Sequence, residues 1–450
     1  MKRFFTYVTT ITLFMWGCEA HLDTFEPSAG EANFETIVFI GNSLTAGYRD
    51  GTLYRSAQYE SFPAIIHKQL YNSGLNKKPF KIPLMADEAG LGGRRILGQV
   101  TGCDGNTSLA PDAYQATLNL AANMANIYAQ QGPFNNMGVP GVRLPHIFAA
   151  GYGNSALGQG RFNPYFSRMA SNPMAKILDD ALAQQPTFVV TWIGNNDVLG
   201  YALAGGYGDT ITSIAYFNQL LSYYVNQVYT GNTKGAICNI PPITAAPFFT
   251  TIKPNNLVLN ASQAAVLNQA YAAYNQEATQ LGKDSIKFKE GANFFIIQDT
   301  TLSMLGGIRQ IKANELLLLT LPQDSLKCGG WGTQKPIPHY YVLDASELAN
   351  INAATTAYNN QIASLAQQKN LALVDIHTLL SDISLNGTRI EGQTFSTTFV
   401  TGQIFSLDGI HLTGKGNAIV ANYIIDAINQ KYNAKIPKAM VQEYSGNIFP

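Results

Sequence analysis

Four stretches carry apolar, β-branched residues with no polar break: 36–40 (TIVFI), the start of 187–197 (TFVVTWIGNND), 234–243 (KGAICNIPPI) and 371–377 (LALVDIH). Runs of this kind, closed by glycine or polar residues, predict strands buried on both faces of a parallel sheet. Between them, residues 60–72, 173–185, 215–229, 262–282, 347–369 and 414–430 read as helices. Strands alternating with helices predict a doubly wound α/β sheet, in which chemistry gathers at the carboxyl ends of the strands. Two regions break the alternation. Residues 76–133 hold the Gly-rich AGLGGRRILG and the polar CDGNTS and read as an insertion with a surface loop. Residues 284–346, with the short runs NFFIIQD and ELLLLTLP, predict an inserted β-rich excursion. The stretches LNQAYAAYNQEATQL and INAATTAYNNQIASLA share an Ala-Tyr-Asn step, but two copies make no solenoid.

Composition narrows the partners. The 450 residues suffice for one large domain or two ordinary ones. Charged residues make up 13% of the chain and the formal net charge is zero, so no basic field favours nucleic acid. With 46% apolar residues the chain can fill a core, and its 40 Gly and 20 Pro imply long loops.

The opening MKRFFTYVTTITLFMWGCEA reads as an export signal, with Lys2 and Arg3 ahead of an apolar run too short to cross a bilayer. The run ends at Gly17-Cys18, which resembles the end of a bacterial lipoprotein signal, where the cysteine becomes the lipidated N-terminus. This predicts a signal over residues 1–18, a flexible tether over 19–35, a folded domain over 36–432 and a tail over 433–450. The protein is then exported to the cell envelope and held to the membrane through lipid on Cys18 alone; a plain secretory signal is the alternative. No later stretch has about 18 uninterrupted apolar residues. With Cys18 lipidated, Cys103, Cys238 and Cys328 remain, enough for one disulfide of unspecified pairing and one buried thiol. Their spacing is not that of a metal site, and no metal or cofactor is expected.

The candidate chemistry begins at GNSLTAG, residues 41–47. On this stretch alone Ser43 is either part of an ordinary helix cap or a nucleophile presented on a tight strand-to-helix turn. A serine nucleophile needs a base, and the base needs an orienting group. Of the six histidines, His21 sits in the tether, and His67, His146 and His339 read as structural. His377 closes the strand run LVD, preceded by Asp375. His411 lies in SLDGIH, three residues after Asp408 and just ahead of an amphipathic helix. There the carboxylate can hold one ring nitrogen while the other faces a serine. Oxyanion donors are available from Asn196 in IGNND and from a glycine of NMGVPG.

Taken together, GNSLTAG, NMGVPG, GNND and DGIH resemble the four blocks of the SGNH, or GDSL, hydrolase family, and NIPPI is similar to a strand of its larger lipase-like members. The resemblance implies a flavodoxin-like three-layer α/β/α fold with large loop and β insertions. It implies Ser43 as nucleophile, His411 as general base and Asp408 as its orienter, with an oxyanion hole of Ser43 N–H, Gly141 N–H and the Asn196 side chain. Gly138 is the rival to Gly141. Asn42 stands where the family usually has Asp. The implied activity is hydrolysis of a lipid or other small carboxylic ester through an acyl-enzyme, without cofactor. A carbohydrate O-acetyl esterase is the alternative enzyme, and a silent glycan- or lipid-binding envelope protein is the alternative class.

Overall fold

A computed structural model describes residues 25–450. The expected signal, Cys18, His21 and the first part of the expected tether lie outside the described residues. At the centre is a five-stranded parallel sheet built from β1 (Ile37–Gly41), β4 (Asn136–Gly138), β5 (Phe188–Trp192), β6 (Lys234–Cys238) and β7 (Ala372–Val374). The spatial order is β7-β6-β5-β1-β4. Numbered by appearance from the other edge this is 2-1-3-4-5, the flavodoxin-like order, whose switch point lies between β1 and β5.

Alternation along β1 divides its side chains between two cores. Val38 and Ile40 enter the layer built on helices Ile214–Val228 and Ala345–Gln368. Ile37 and Phe39 enter the opposite layer, with helices Phe62–Asn72 and Gly414–Tyr432. A strand covered on both faces must be apolar at every position, and all five residues of β1 and of β5 are buried. Among the described residues no helix is long and apolar enough to cross a membrane.

The four expected strands and most expected helices form where the pattern places them. The helix expected at 173–185 shortens to Ile177–Leu182, and Asp180 in its first turn accepts from Ser171 N–H at 2.9 Å. The stretch 262–282 is broken at Tyr271 into two helices, Ala261–Ala270 and Ala272–Gln280. The Gly-rich surface loop is in part a hairpin: β2 (Arg95–Thr101) pairs antiparallel with β3 (Thr107–Ala113). The second excursion is β-rich as expected, in short antiparallel pairs such as Ile296–Gln298 with Ile308–Gln310.

Two segments expected to trail from the domain pack against it instead. Glu31 N–H donates to Tyr432 O at 2.7 Å, and Ala32 and Phe34 are buried. In the expected tail, the buried amide of Asn447 donates to Val400 O at 2.8 Å and Phe405 O at 3.0 Å. Both segments spend buried apolar or hydrogen-bonding groups on the domain, which a solvated tether would not. The cysteine pairing is now fixed. Cys103, at the tip of the β2–β3 hairpin, is joined to Cys328 in the second excursion, and Cys238 is the buried thiol.

Candidate active site

Ser43 stands at the carboxyl end of β1, at the switch point. The turn that presents it admits little variation: a Cβ on Gly41 would come within 2.1 Å of Thr45 Oγ1 and 2.6 Å of Trp192 O. Asn42 caps the one-turn helix Ser43–Ala46, its Oδ1 accepting from Leu44 N–H at 3.0 Å. The cap is thus Asn42, and Ser43 Oγ is free for another partner.

That partner is His411. Ser43 Oγ lies 2.9 Å from His411 Nε2, and His411 Nδ1 lies 2.9 Å from Asp408 Oδ2. Because Nδ1–H donates to the carboxylate, Nε2 is the acceptor and the serine hydroxyl is the donor. Asp408 also accepts from Ile410 N–H at 2.9 Å, from His411 N–H at 2.8 Å and from Gly51 N–H at 3.0 Å. Burial alone would raise its pKa, but the charge and hydrogen bonds of His411 and the N–H of Ile410 outweigh burial and hold the carboxyl well below its usual range. The pair sits in a turn before the final helix, closed by Ser406 N–H donating to His411 O at 2.7 Å. The helix begins only at Gly414.

The pattern reading missed a neighbour of this imidazole. The ring of Tyr48 lies 4.6 Å from that of His411, and its hydroxyl donates to Gly51 O. Tyr48 and the Gly51 N–H therefore tie the nucleophile loop to the Asp-His turn. Tyr48 follows Ser43 by five residues, and no sequence periodicity links it to position 411.

The three candidate oxyanion donors converge on the same edge. Asn196 begins the helix that follows β5, and its Nδ2 donates to Val142 O at 2.9 Å, which orients the amide and leaves its second N–H available. Gly141 lies in the turn after β4 at φ 79°, a conformation that favours glycine, and its N–H donates to no described group. Gly138 differs: its N–H is taken by Asn136 Oδ1 at 2.9 Å. A Cβ there would meet Ala46 N at 2.3 Å, so its glycine is explained by packing. The N–H of Ser43 also donates to no described group.

The other described histidines stay apart from this constellation. His67 Nε2 bonds Lys78 O at 3.0 Å and stacks on Phe80. His146 stacks on Tyr152 and accepts from Arg143 N–H, and His339 packs edge-on against Tyr207. Asp375 caps the helix that contains His377, accepting from Thr378 N–H at 3.1 Å, which uses that strand end for structure. Among the described residues no cluster of His, Cys, Asp and Glu is arranged to hold a metal ion.

Two spaces open on either side of Ser43 and His411. One is a cavity of about 50 Å³ walled by apolar groups, including Trp192, Leu199, Pro242, Ile243 and Phe405. The other is a cleft of about 440 Å³ bordered by Tyr48, Arg95, Gly141, Tyr165 and Thr320. Arg95 and Leu319 also border a groove of about 1320 Å³ between the β2–β3 hairpin and the second excursion, so the cleft continues into it.

The sequence matches the GDSL-like lipase/acylhydrolase family over residues 37–300 and 296–424. No curated protein matches it significantly. Among solved structures the chain is similar to an α/β hydrolase enzyme from the metagenome of Lake Arreo, at 12% identity over 88% of this chain and 96% of that one, TM-score 0.36. It is also similar to the lipase/acylhydrolase from Enterococcus faecalis, at 12% identity over 90% and 100%, TM-score 0.33. An acetyl xylan esterase matches at 15% identity over 87% and 98%, TM-score 0.32.

Proposed function

The chain belongs to the GDSL-like lipase/acylhydrolase family and is an ester hydrolase; on that premise we propose that Ser43, His411 and Asp408 hydrolyse esters of short acyl groups through an acyl-enzyme. The observation that carries the reading is the unbroken chain from Ser43 Oγ through the imidazole to Asp408, two contacts of 2.9 Å each. Ser43 Oγ attacks the ester carbonyl carbon while its proton passes to His411 Nε2. The carbonyl oxygen becomes an oxyanion that accepts from the N–H groups of Ser43 and Gly141 and from the free N–H of Asn196 Nδ2. The carbon–alkoxide bond breaks as Nε2–H protonates the leaving alcohol. A water then attacks the acyl-enzyme, giving its proton to Nε2; Ser43 leaves with a proton returned from Nε2, and a carboxylic acid departs. Asp408 remains ionised throughout and fixes the tautomer.

The two spaces suit the two halves of an ester. A volume of about 50 Å³ has no room for a bulky alcohol and takes the acyl group. The wide cleft, open toward the groove, takes the alcohol. The smaller, apolar space favours a short acyl group, and with it an esterase over a lipase. The continuous cleft and groove, with Arg95 and Thr320 as polar groups, also favour an extended alcohol such as a carbohydrate as a second reading.

Kinetics with p-nitrophenyl acetate, butyrate, octanoate and palmitate test the first reading. The expected profile peaks at four carbons or fewer and is abolished by a serine-directed phosphonate. A peak at palmitate would refute the assignment of the small cavity, and turnover that survives the phosphonate would refute Ser43. Release of acetate from acetylated xylo-oligosaccharides, compared with p-nitrophenyl acetate, tests the second.

A further inference from the structure

The groove that continues the cleft carries charge of one sign. Among the residues that border it are Arg95, Lys327 and Lys335, and none is an aspartate or a glutamate. The chain as a whole has 29 basic and 29 acidic residues, so this excess is local. The cleft at Ser43 adds a single acid, Asp408, whose charge is committed to His411 at 2.9 Å. Asp104, Asp112 and Asp324 belong to the same two excursions, and none of them borders the groove. Lys327 meets Asp104 at 3.8 Å, a long pair open to solvent and therefore a weak one. Among the described residues Arg95 and Lys335 form no ion pair.

Arg95 holds the decisive place, because it borders both the cleft and the groove. It begins β2, and its N–H donates to Asp50 O at 2.7 Å. The next residue, Gly51, is the one whose N–H holds Asp408. A Cβ on Gly51 would lie 3.9 Å from Arg95 Cγ, so the arginine side chain starts against the loop that follows Ser43. A guanidinium offers forked N–H donors that match a carboxylate. Between the cations the groove is bordered by the amides of Asn256, Gln263 and Gln334, which can both donate to and accept from hydroxyl groups.

We propose that the alcohol half of the substrate is an acidic oligosaccharide, with one carboxylate held by Arg95 near the scissile ester and further carboxylates in the groove with Lys327 and Lys335. The proposal rests on the acyl-enzyme reading above and on its placing of the alcohol in the cleft, and it adds the charge of that alcohol. Arg95 takes no part in bond making; it selects and orients the alcohol. A neutral sugar gains nothing from the excess of cations, whereas an anionic one is drawn in and held in register.

The test measures acetate release from a short O-acetylated oligogalacturonate, with its carboxylates either free or converted to neutral carboxamides. At low salt the wild type is expected to favour the free acid in kcat/KM by about tenfold or more. The ratio should shrink at high salt, since the groove is open to solvent. In Arg95→Gln it is expected to fall about threefold or more, and in Arg95→Gln with Lys335→Gln toward one. A hairpin disturbed by the substitutions would lower both oligomers together, so the ratio isolates the charge contact. Equal kcat/KM for the two oligomers in the wild type overturns the proposal, and so does a preference that the double variant leaves intact. Hydrolysis of p-nitrophenyl acetate with no acetate released from either oligomer would sink the acidic alcohol and leave the acyl-enzyme reading standing. No Ser43-dependent hydrolysis of any of the three would remove both.

Discussion

The sheet edge that carries Ser43 and the excursions that face it are held together by different forces. At the sheet edge, β1 and β5 bury every residue between two large apolar layers, and the loops beyond them inherit that rigidity. The excursions have only small apolar clusters of their own, such as the one around Ile297, Ile337 and Val342. They depend on discrete ties: the Cys103–Cys328 disulfide, and Arg309 gripping Glu315 through two N–H groups at 2.7 and 2.9 Å. Burial spread over many residues gives a stiff platform with no single indispensable contact. A few polar ties give a shape that one substitution can loosen. Positioning of the reacting atoms belongs to the first region, and access of the alcohol to the second.

The largest separation between the regions should appear in catalysis. Ser43→Ala or His411→Ala is expected to lower kcat on the order of 10⁴-fold or more, and Asp408→Asn somewhat less, by measurement with p-nitrophenyl acetate. The thermal midpoint should hardly move in Ser43→Ala, whereas Asp408→Asn and His411→Ala break up the buried carboxylate–imidazole pair and should lower it. Loss of rate at His377→Ala with none at His411→Ala would reverse the assignment. Next in size is Asn196→Ala, expected to cost about 10²–10³-fold in kcat with KM little changed, as for a donor used mainly in the transition state.

The excursions should answer in the opposite sense. Cys103→Ser together with Cys328→Ser opens a tie across 225 residues and is expected to lower stability by about 2–4 kcal/mol, read by denaturant titration. Turnover of p-nitrophenyl acetate should persist within a few-fold, because the small cavity and the triad are not built on the excursions. KM for a bulky alcohol should rise. A collapse of acetate turnover would show that the excursions also shape the reacting edge.

Two carboxylates near the site allow the sheet edge itself to be probed by pH. Asp197 is buried and receives only Leu144 N–H and the Thr212 hydroxyl, so burial dominates and its pKa is pushed up to about 6. The folded state then binds a proton more tightly than the unfolded chain. Stability falls as pH rises from about 4 to about 6 and levels off above. Asp408 has the opposite sign: its low pKa supports the fold above about 4, and that support fades as pH falls further. Asp197→Asn is expected to remove the loss between pH 4 and 6, on the order of 2 kcal/mol, in denaturant titrations across that range. A variant with the same slope as the wild type would assign the slope to another group.

The same contrast explains what the sequence reveals. Strands buried on both faces must be unbroken apolar runs, so β1, β5, β6 and β7 are legible directly. β4 is not: Asn136-Met137-Gly138 is three residues long, and its asparagine donates to Thr45 O and accepts from Gly138 N–H instead of continuing an apolar run. The β2–β3 hairpin hides behind mostly solvent-exposed residues that carry no hydrophobic alternation. The disulfide joins residues 225 apart, a distance no spacing rule covers. Ser43 and Asn196 stand out because each follows an apolar strand run, and Asp408 and His411 because they lie three apart in a turn just ahead of a helix; Gly141 is singled out only by the resemblance of NMGVPG to a family block. Tyr48 does not, because its stacking on His411 exists only once loops from distant segments meet.

The smallest effect concerns Asn42, on the stiff side of the comparison. Its Oδ1 accepts from Leu44 N–H, and its Nδ2 has no partner. Asn42→Asp keeps the acceptor for Leu44 N–H and puts a second carboxylate oxygen, equally without a partner, where the amide nitrogen stands. Against this, it buries a negative charge within a few ångströms of the developing oxyanion, where like charge opposes the reaction. In its favour, the carboxylate keeps the bond that holds the turn, and the resembled family usually carries Asp at this position. Asn42→Asp should therefore hydrolyse p-nitrophenyl butyrate within about tenfold of the wild type, under about 1.4 kcal/mol in barrier height. Asn42→Leu cannot cap the Ser43–Ala46 turn and should lose about 0.5–2 kcal/mol of stability along with rate. Measured side by side, retained activity in Asp and loss in Leu would make Asn42 a structural acceptor. Near-complete inactivation by both would give its amide nitrogen a duty in the reaction itself, and the stiffness of the sheet edge would then include a donor as well as a scaffold.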